Sequence, residues 1–481
     1  MKIKRVALIE PAVGSECLTT ELFAQIRASL PFLAGALKVS GYECGVYCEE
    51  LIKLKPRIHH ITAAHDAVGI SVTINTVRRA LDIASAIKKI APARVVVFGG
   101  SVAGNFAEKL LKIGDYCLSG RAEITFPMLL DALNRGSGLE NVPNLIFKRG
   151  GAAVRTERKY LTGDFISDFG PVVNFGGVSE NKNIINIRKP PLYSIFSSTG
   201  CVRKCRFCVT EKKYVRRETD NALADFKSVL SRHRGFLPPH FMIVDDCAFG
   251  DMNHLKKLLS SLAKLRASSK FSIMMQFHVK PLLRDPAIAL LMKKAGITTL
   301  MIGFESASDA SLSSENKGTT VAENIAAIET CRKYGIIPYG YFMAGFDADT
   351  ESGIRDIFDF IFAHKLVAQV LPVGVLEADA DGVTVEGASK TLDPYSFGAA
   401  MKVSHIPSAM SPHKLQSILI EGYDRIYSFK RAAGLLTSRE AVYNLFFSLC
   451  YRRWRPRLEA HLNYLKLLAR FGGSKNFSEN S

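Results

Sequence analysis

The sequence has no long apolar segment of the kind that crosses a membrane. A spanning helix needs about 18 or more consecutive apolar residues, and the nearest approach, residues 357–376, is interrupted by Asp359, His364 and Lys365. The apolar stretch within residues 1–9 is too short for a secretory signal and is typical of a first strand. These absences predict a cytoplasmic protein.

Acidic residues and cysteines are both scarce in this chain. There are 45 Asp and Glu against 63 Lys and Arg, a formal net charge of +18. Such an excess can attract nucleic acid, an anionic membrane surface or anionic substrates. Ten cysteines in 481 residues do not make a disulfide framework. A hydrophobic content of 47% indicates a globular chain of two or three domains.

Three of the cysteines lie close together, in a C-x3-C-x2-C pattern formed by Cys201, Cys205 and Cys208. A [4Fe–4S] cluster normally takes four cysteines, and the next one along the chain is Cys247. Three thiols in one loop would therefore leave one iron open to another ligand. The alternative is a structural zinc loop, although zinc usually takes four protein ligands at such sites.

Residues 1–135 alternate between strand and helix patterns, which predicts a doubly wound (Rossmann or flavodoxin-like) parallel sheet. Ligands of such sheets bind at the carboxyl ends of the strands. Here those ends are small or polar, so that backbone can approach a large ligand closely. The candidate contacts are Ser71, Thr73, Gly99, Gly100 and Gly120.

The alternation resumes near Tyr193 and continues to about Pro372, which predicts a partial (β/α)6 TIM-type barrel. Chemistry in such barrels occupies the loops after the strands, and the cysteine loop follows the first strand. Gln276 and His278, at the end of the third, are further candidates. The predicted segments are 1–136 (N-terminal domain), 137–190 (linker with a small hairpin), 191–375 (barrel) and 376–481 (helical C-terminal lid).

The cysteine spacing, with Phe207 before the last cysteine, resembles the radical S-adenosylmethionine (SAM) superfamily. The sequences I-G-F-E-S at 302–306, N-K-G at 316–318 and the glycine-containing run 340–350 are similar to motifs of that family. Residues 68–71, 95–100 and 115–126 resemble the cobalamin-binding domain of its class B members. The D-x-H-x-x-G motif that supplies a histidine to cobalt in some B12 proteins is absent.

The resemblance implies a [4Fe–4S] cluster on Cys201, Cys205 and Cys208, with SAM on its open iron. It also implies cobalamin at the N-terminal strand ends given above. Two alternatives stay open, namely that Asp246 caps the next helix and that Glu305 forms an ion pair inside the barrel. The residues implied to contact SAM are Phe207, Asp246, Glu305, Ser306, Gly340, Phe342 and Gly345.

The function expected from this resemblance is reductive cleavage of SAM and cobalamin-dependent methylation of an unactivated carbon. The substrate would be a small molecule or a lipid, and a flavodoxin- or ferredoxin-type protein would donate the electron. The alternatives are a cobalamin-domain cyclase or rearrangement enzyme, an RNA methylthiotransferase, and a non-catalytic metal-binding or membrane-associated scaffold. The methylthiotransferase fits less well because Cys17, Cys44, Cys48 and Cys117 lack the spacing of its second cluster.

The C-terminal segment is basic and contains the only tryptophan, Trp454. From residue 429 to 481 there are ten Lys and Arg against three Asp and Glu. Such a segment fits either a helical lid on the barrel or peripheral contact with the inner face of a membrane. Nucleic acid is not expected as a partner, because no RNA-binding module is visible. The run L-P-V-G-V at 371–375 departs from the family's P-L-P-G-T and leaves the substrate class open.

Overall fold

The computed structural model describes residues 2–13, 21, 23–173, 189–234, 237–374, 401–435 and 440–471. Two seven-stranded sheets and a helical C-terminal region make up the described fold. The predicted fold class is confirmed: a doubly wound parallel sheet is followed by a partial barrel and by helices. Cys17 and Val375 lie outside the described residues.

The N-terminal sheet has the strand order β3-β1-β4-β5-β6-β7-β8. Its first five strands run parallel, whereas β7 and β8 form an antiparallel hairpin that extends the sheet into the segment predicted as linker. β4 is buried along its whole length, as expected for a parallel strand covered on both faces. The strands of this half are β1 (Arg5–Glu10), β2 (Ala24–Ile26), β3 (Glu43–Cys48), β4 (Ala67–Ser71), β5 (Val95–Gly99), β6 (Tyr116–Leu118), β7 (Leu145–Arg149) and β8 (Ala152–Arg155). The helices are α1 (Ser29–Val39), α2 (Ile58–Ala64), α3 (Val77–Ile90), α4 (Ala107–Leu110) and α5 (Thr125–Arg135).

The second sheet has the order β16-β15-β14-β13-β12-β9-β2, with every pairing parallel. Six strands were predicted; the seventh, β2, comes from the N-terminal half and pairs with β9. Two short strands, β10 and β11, form a separate antiparallel ribbon. The strands are β9 (Pro191–Ile195), β10 (Ser198–Thr199), β11 (Val215–Arg216), β12 (His240–Ile243), β13 (Ser272–Phe277), β14 (Ile297–Glu305), β15 (Ile337–Ala344) and β16 (Val367–Pro372).

Seven described helices connect the barrel strands, and five of them begin at a residue whose side chain accepts a hydrogen bond from a backbone N–H. Asp251 accepts hydrogen bonds from the N–H groups of Asn253 and His254, so the alternative that Asp246 caps this helix is wrong. Thr320 and Glu323 form a capping box at the start of α11. The helices are α6 (Thr219–Arg232), α7 (Met252–Ser268), α8 (Val279–Arg284), α9 (Ala287–Ala295), α10 (Asp309–Ser314), α11 (Val321–Lys333) and α12 (Glu351–Ala363).

The C-terminal region packs against the edge strand β16. Its helices are α13 (Pro412–Ile426), α14 (Phe429–Gly434) and α15 (Ala441–Phe471). Tyr423 and Tyr427 donate hydrogen bonds to the carbonyls of Val370 (2.5 Å) and Ala368 (2.9 Å). These hydroxyl groups satisfy carbonyls at a sheet edge that has no neighbouring strand among the described residues. Trp454 is only 1% exposed, so it belongs to the core. Among the described helices, none is both long enough and apolar enough to span a bilayer.

Candidate active site

The cysteine loop begins at the carboxyl end of the first barrel strand and is closed by the ribbon of β10 and β11. Gly200 has φ +75°, and a Cβ there would lie 2.1 Å from the carbonyl oxygen of Lys213. Glycine is therefore required at this entry to the cysteine loop. We call the entry, formed by residues 200, 201, 211 and 213, the neck of the loop. Cys201 N–H donates to the carbonyl of Glu211 at 2.8 Å, so the neck is pinned immediately before and at the first cysteine.

Two adjacent aspartates hold the chain that leads into the loop. Asp245 is buried and accepts from the N–H and hydroxyl of Ser197 (both 2.6 Å) and from the hydroxyl of Ser198 (2.7 Å). Burial raises the pKa of Asp245, against the effect of these hydrogen bonds. Asp246 accepts from Gly200 N–H at 3.0 Å. The pair thus positions the residues that precede Cys201.

The first cysteine is placed to ionise readily. A hydrogen bond with the buried Cys247 thiol, aided by Arg203 N–H and the Lys212 charge, lowers the pKa of Cys201 to about 6. The same contact, with burial, raises the pKa of Cys247. A thiolate is the form that binds metal.

The three cysteines share this loop, in which Cys201 is buried and Cys205 and Cys208 are half-buried. In the described part of the chain, no three His, Cys, Asp or Glu side chains stand close enough together to hold a metal ion. The structure thus supplies three thiols on one loop with a fixed entry, a donor set that suits a cluster.

The far side of the loop is tied to the N-K-G segment, residues 316–318. Asn316 donates to the carbonyl of Lys204 at 2.9 Å, and the guanidinium of Arg203 donates to the carbonyl of Lys317. Gly318 has φ +68°, and a Cβ there would lie 2.6 Å from that guanidinium. This segment therefore fixes the cysteine loop as well as starting a helix.

Glu305 lies in strained backbone at the end of β14. Its φ is +64°, and the pairing register with β15 shifts between Gly303 and Glu305. A non-glycine residue in this region is uncommon, and such strain is concentrated at functional sites. The carboxylate accepts from Lys317 Nζ at 2.7 Å, and both side chains are buried. The ion pair expected as an alternative is therefore present, and Ser306 lies buried beside it.

His278 lies near this ion pair as a neutral ring. Its Nδ1 accepts from Lys280 N–H at 3.1 Å and so caps α8. Burial, together with the charges of Lys317, Arg203 and Lys280, lowers the pKa of His278 to about 2. Because Nδ1 accepts, the proton resides on Nε2. The Lys317 backbone lies beside the ring and opposes this lowering of the pKa through a hydrogen bond.

Phe207 meets Phe346, the residue that follows Gly345, at the end of β15. The ring of Phe207 lies 5.4 Å from that of Phe346. Gly345 has φ +98°; its N–H donates to Asp349 at 2.9 Å, and its carbonyl accepts from His405 at 3.0 Å. Sequence reasoning did not identify Asp349 or His405, although each fixes the turn that carries Phe346.

Two predicted SAM contacts lie elsewhere. Phe342 is fully buried, with its ring 5.7 Å from Phe304 and 5.8 Å from Phe360 of α12. A Cβ on Gly340 would also meet the rings of Phe342 and Phe304, at 2.9 and 3.1 Å. These positions belong to the layer between the sheet and α12, so the structure does not bring them together with the cysteine loop.

The five predicted cobalamin contacts occupy neighbouring strand ends of the N-terminal sheet. Ser71 pairs with Gly99, and Gly100 bridges to Gly120. A Cβ on Gly99 or Gly120 would meet no atom within 4 Å, so both glycines border open space. Thr73 N–H donates to the Thr76 hydroxyl at 2.9 Å. Glycines that border open space at the carboxyl ends of parallel strands suit a large ligand. We call these five residues the glycine cradle.

Arg121, next to this cradle, reaches the cysteine loop. Its Nη1 donates to the hydroxyl of Thr199 at 2.7 Å, and its Nε donates to Glu123 at 2.6 Å. Thr199 is two residues before Cys201. The two candidate cofactor sites are therefore joined by one hydrogen bond, a contact that sequence reasoning missed because 78 residues separate its partners.

Residues 195–361 match the family model of the radical SAM superfamily. The chain is 31% identical over 180 residues to bacteriochlorophyllide d C-12(1)-methyltransferase of Chlorobaculum tepidum, an alignment covering 36% of this chain and 38% of that protein. It is 25% identical over 363 residues to the anaerobic magnesium-protoporphyrin IX monomethyl ester cyclase of Rubrivivax gelatinosus, covering 69% and 61%. The chain thus spans less than two thirds of the length of either relative.

The fold is shared with the radical SAM methyltransferase TsrM of Kitasatospora setae, whose structure has cobalamin and a [4Fe–4S] cluster bound. The TM-score is 0.67 at 17% sequence identity, covering 98% of this chain and 100% of that one. At this identity the likeness concerns the arrangement of the two sheets and the C-terminal helices.

Proposed function

Because residues 195–361 match the family model of the radical SAM superfamily, we propose that this chain cleaves SAM reductively and methylates an unactivated carbon with the help of cobalamin. The observation that carries the proposal is the contact between Arg121 and Thr199, which sets the glycine cradle beside the cysteine loop. A methyl group held at one site and a substrate activated at the other need this proximity. The substrate class is a small molecule or a lipid.

Cys201, Cys205 and Cys208 would hold the cluster, and the strand ends with Gly99, Gly100 and Gly120 would hold cobalamin. When bound, the cluster supplies the electron that breaks a carbon–sulfur bond of SAM, and cobalamin supplies the methyl group. The chain positions the reacting atoms, and the charge of Lys212 and the N–H of Arg203 stabilise the thiolate form of Cys201.

The SAM site proposed here lies between the cysteine loop and the ends of β13, β14 and β15. Phe207 and Phe346 form an apolar wall there. Glu305 and Lys317 present a fixed pair of opposite charges, and His278 presents a neutral ring with its Nε2–H beside the Lys317 backbone. The aromatic wall suits an apolar ring, the Glu305 carboxylate suits an amino group, and the N–H of His278 suits a carboxylate. Gly340 and Phe342 contribute to this site only by packing the sheet behind it.

A cobalamin-domain cyclase or rearrangement enzyme is the second candidate, favoured by the similarity to the Rubrivivax gelatinosus cyclase. The two differ in the fate of the substrate radical, since the cyclase transfers no methyl group. Isotope-labelled SAM distinguishes them, because only the methyltransferase places the label in the product.

The proposal includes an external electron donor of flavodoxin or ferredoxin type and a cytoplasmic location, since thiolate ligands persist in a reducing compartment.

The proposal also includes peripheral contact of α15 with an anionic membrane. The apolar side chains Val442, Leu445 and Leu449 are exposed at helical spacing, and Arg452 and Arg453 follow them. Leu445→Glu with Leu449→Glu should abolish co-sedimentation with phosphatidylglycerol vesicles, whereas Tyr464→Ser should not. Equal sedimentation of both variants would remove this contact.

The main test is anaerobic purification with iron, sulfide and cobalamin supplied. Absorbance should report both cofactors, and added SAM and reductant should yield 5′-deoxyadenosine and S-adenosylhomocysteine. A variant with all three loop cysteines changed to alanine should lose iron and both products. If that variant keeps its iron and its 5′-deoxyadenosine, the proposed function is wrong. Loss of cobalamin alone from the wild-type protein would remove the methyl-transfer step.

A further inference from the structure

A small apolar core lies where the two halves of the chain meet. It contains Ala28, Phe32 and Phe196, with Phe165 and Val244 packed against it. The rings of Phe32, on α1, and Phe196, just after β9, meet edge-to-face at 4.8 Å. Each half therefore contributes one aromatic anchor to a contact that is separate from the main core.

Two guanidinium groups lie over this aromatic pair, and they differ in how they are held. Arg217 is 5.0 Å from the Phe32 ring and 4.7 Å from the Phe196 ring, and it pairs with Asp164 and Asp225 at 3.1 and 2.9 Å. Arg121 lies at 6.0 and 5.9 Å from the same rings. Because both ion pairs and the aromatic contacts already hold Arg217 in place, it serves the packing of the interface.

Arg121 instead acts on the residues that lead into the cysteine loop. Ser197 and Ser198 are held by Asp245, and Gly200 is held by Asp246, all within the barrel half. The hydroxyl of Thr199, between them, accepts from Arg121. Glu123, itself buried, orients the guanidinium from the other side. Thr199 is thus the point in this run where the N-terminal sheet contacts the cysteine loop.

We propose that Arg121 is a positioning residue that sets the placement of the cobalamin cradle relative to the cysteine loop. The inference rests on the proposed function, because group transfer between the two sites is what the Arg121–Thr199 contact would serve. Gly120, the open-faced residue of the cradle, and Cys201, the first cluster ligand, are each within two residues of the Arg121–Thr199 hydrogen bond. A shift of about 1 Å in such an arrangement can cost about 100-fold in rate.

The first experiment uses the apo protein, so that it does not depend on either cofactor. Arg121→Gln and Thr199→Val should each increase hydrogen exchange in residues 198–208 about tenfold or more, since each removes the Arg121–Thr199 hydrogen bond; Thr199→Val also removes the hydrogen bond between this hydroxyl and Tyr160. Thr199→Ser, which keeps a hydroxyl, should retain wild-type exchange. Arg149→Gln is the matched control, because Arg149 pairs with Glu140 and lies over Phe147 on the same sheet. Unchanged exchange in Arg121→Gln would overturn the inference.

The second experiment uses the reconstituted protein. In Arg121→Gln and Thr199→Val we expect full iron and cobalamin content, an altered magnetic interaction between cob(II)alamin and the reduced cluster, and a ratio of 5′-deoxyadenosine to methylated product raised about tenfold or more. Thr199→Ser and Arg149→Gln should match the wild type. Loss of cobalamin from Arg121→Gln would make this residue a ligand contact and overturn the positioning role. If the wild type binds no cobalamin, the proposed function fails, while the exchange experiment still decides whether Arg121 holds the loop.

Discussion

Lys317 Nζ lies 2.7 Å from a carboxylate oxygen of Glu305, and both side chains are buried beneath the cysteine loop. The carbonyl of Lys317 also accepts from Arg203, two residues beyond Cys201. One residue therefore links the strained end of β14 to the loop. Removing either charge would leave the other without its partner inside the protein.

Lys317→Met should lower the free energy of unfolding by about 3–5 kcal/mol, because an unpaired buried charge is costly. Adding Glu305→Gln should restore part of this loss. Urea unfolding measures both. Lys414 pairs with Glu351 at the surface, with both side chains about half exposed, so Lys414→Met should cost under about 1 kcal/mol. Equal losses in the two lysine variants would contradict the role given to burial.

Gly200→Ala should prevent the cysteine loop from closing. The new Cβ would lie 2.1 Å from the carbonyl oxygen of Lys213, in addition to the strain of φ +75°. A Cβ on Gly136 would meet no atom within 4 Å, although its φ is +72°. Gly136→Ala therefore measures only the cost of left-handed backbone for alanine, about 1–2 kcal/mol of unfolding free energy. Iron content after reconstitution should fall only in Gly200→Ala. A normal iron content in both variants would show that the neck tolerates a side chain.

His278 should make stability depend on pH below about 6.5. Its native pKa is lowered to about 2, whereas the unfolded side chain titrates near 6.5. Between these values the unfolded state binds more protons, so this contribution is complete above about pH 6.5 and is lost as the pH falls. The difference in unfolding free energy between pH 7 and pH 5 should be smaller in His278→Asn than in the wild type. The exposed His59 provides the control, and an identical slope for His278→Asn would contradict a neutral, buried ring.

Tyr423→Phe and Tyr427→Phe should each cost about 1–3 kcal/mol, because each removes the donor to a carbonyl of the edge strand β16 in a buried setting. Tyr464, half exposed on α15, is the control, and its change to Phe should have no measurable effect on urea unfolding. If both buried variants matched the control, water or another donor would have replaced the hydroxyl groups.

Local spacing was sufficient to predict the cysteine loop, because its three thiols lie within eight residues, and strand periodicity predicted most of both sheets. Contacts between distant segments were not predictable in this way. β2 has only three residues and no recognisable pattern. Arg121 and Thr199 are far apart in sequence. An ion pair was one alternative for Glu305, but the sequence did not name Lys317 as its partner.

The placement of Gly340 and Phe342 shows a different limit. Alternate residues of a strand point to opposite faces, and a motif alone does not say which face borders the cavity. In β15 the ring of Phe342 packs against Phe360 of α12. The Phe342 ring is therefore committed to the layer between the sheet and α12, whereas contact of SAM with the backbone of this strand stays a prediction.

The contribution of β2 to the barrel sheet has a consequence for dissecting this protein. Residues 24–26 pair with residues 191–193, so a cut in the segment between the two sheets would not release two independent folding units. A fragment starting at residue 156, after β8, would lose its outermost strand and expose the hydrogen-bonding edge of β9, which favours association with other chains. Expressing the halves separately should therefore give an aggregating barrel fragment, and co-expression of the N-terminal fragment should rescue its solubility.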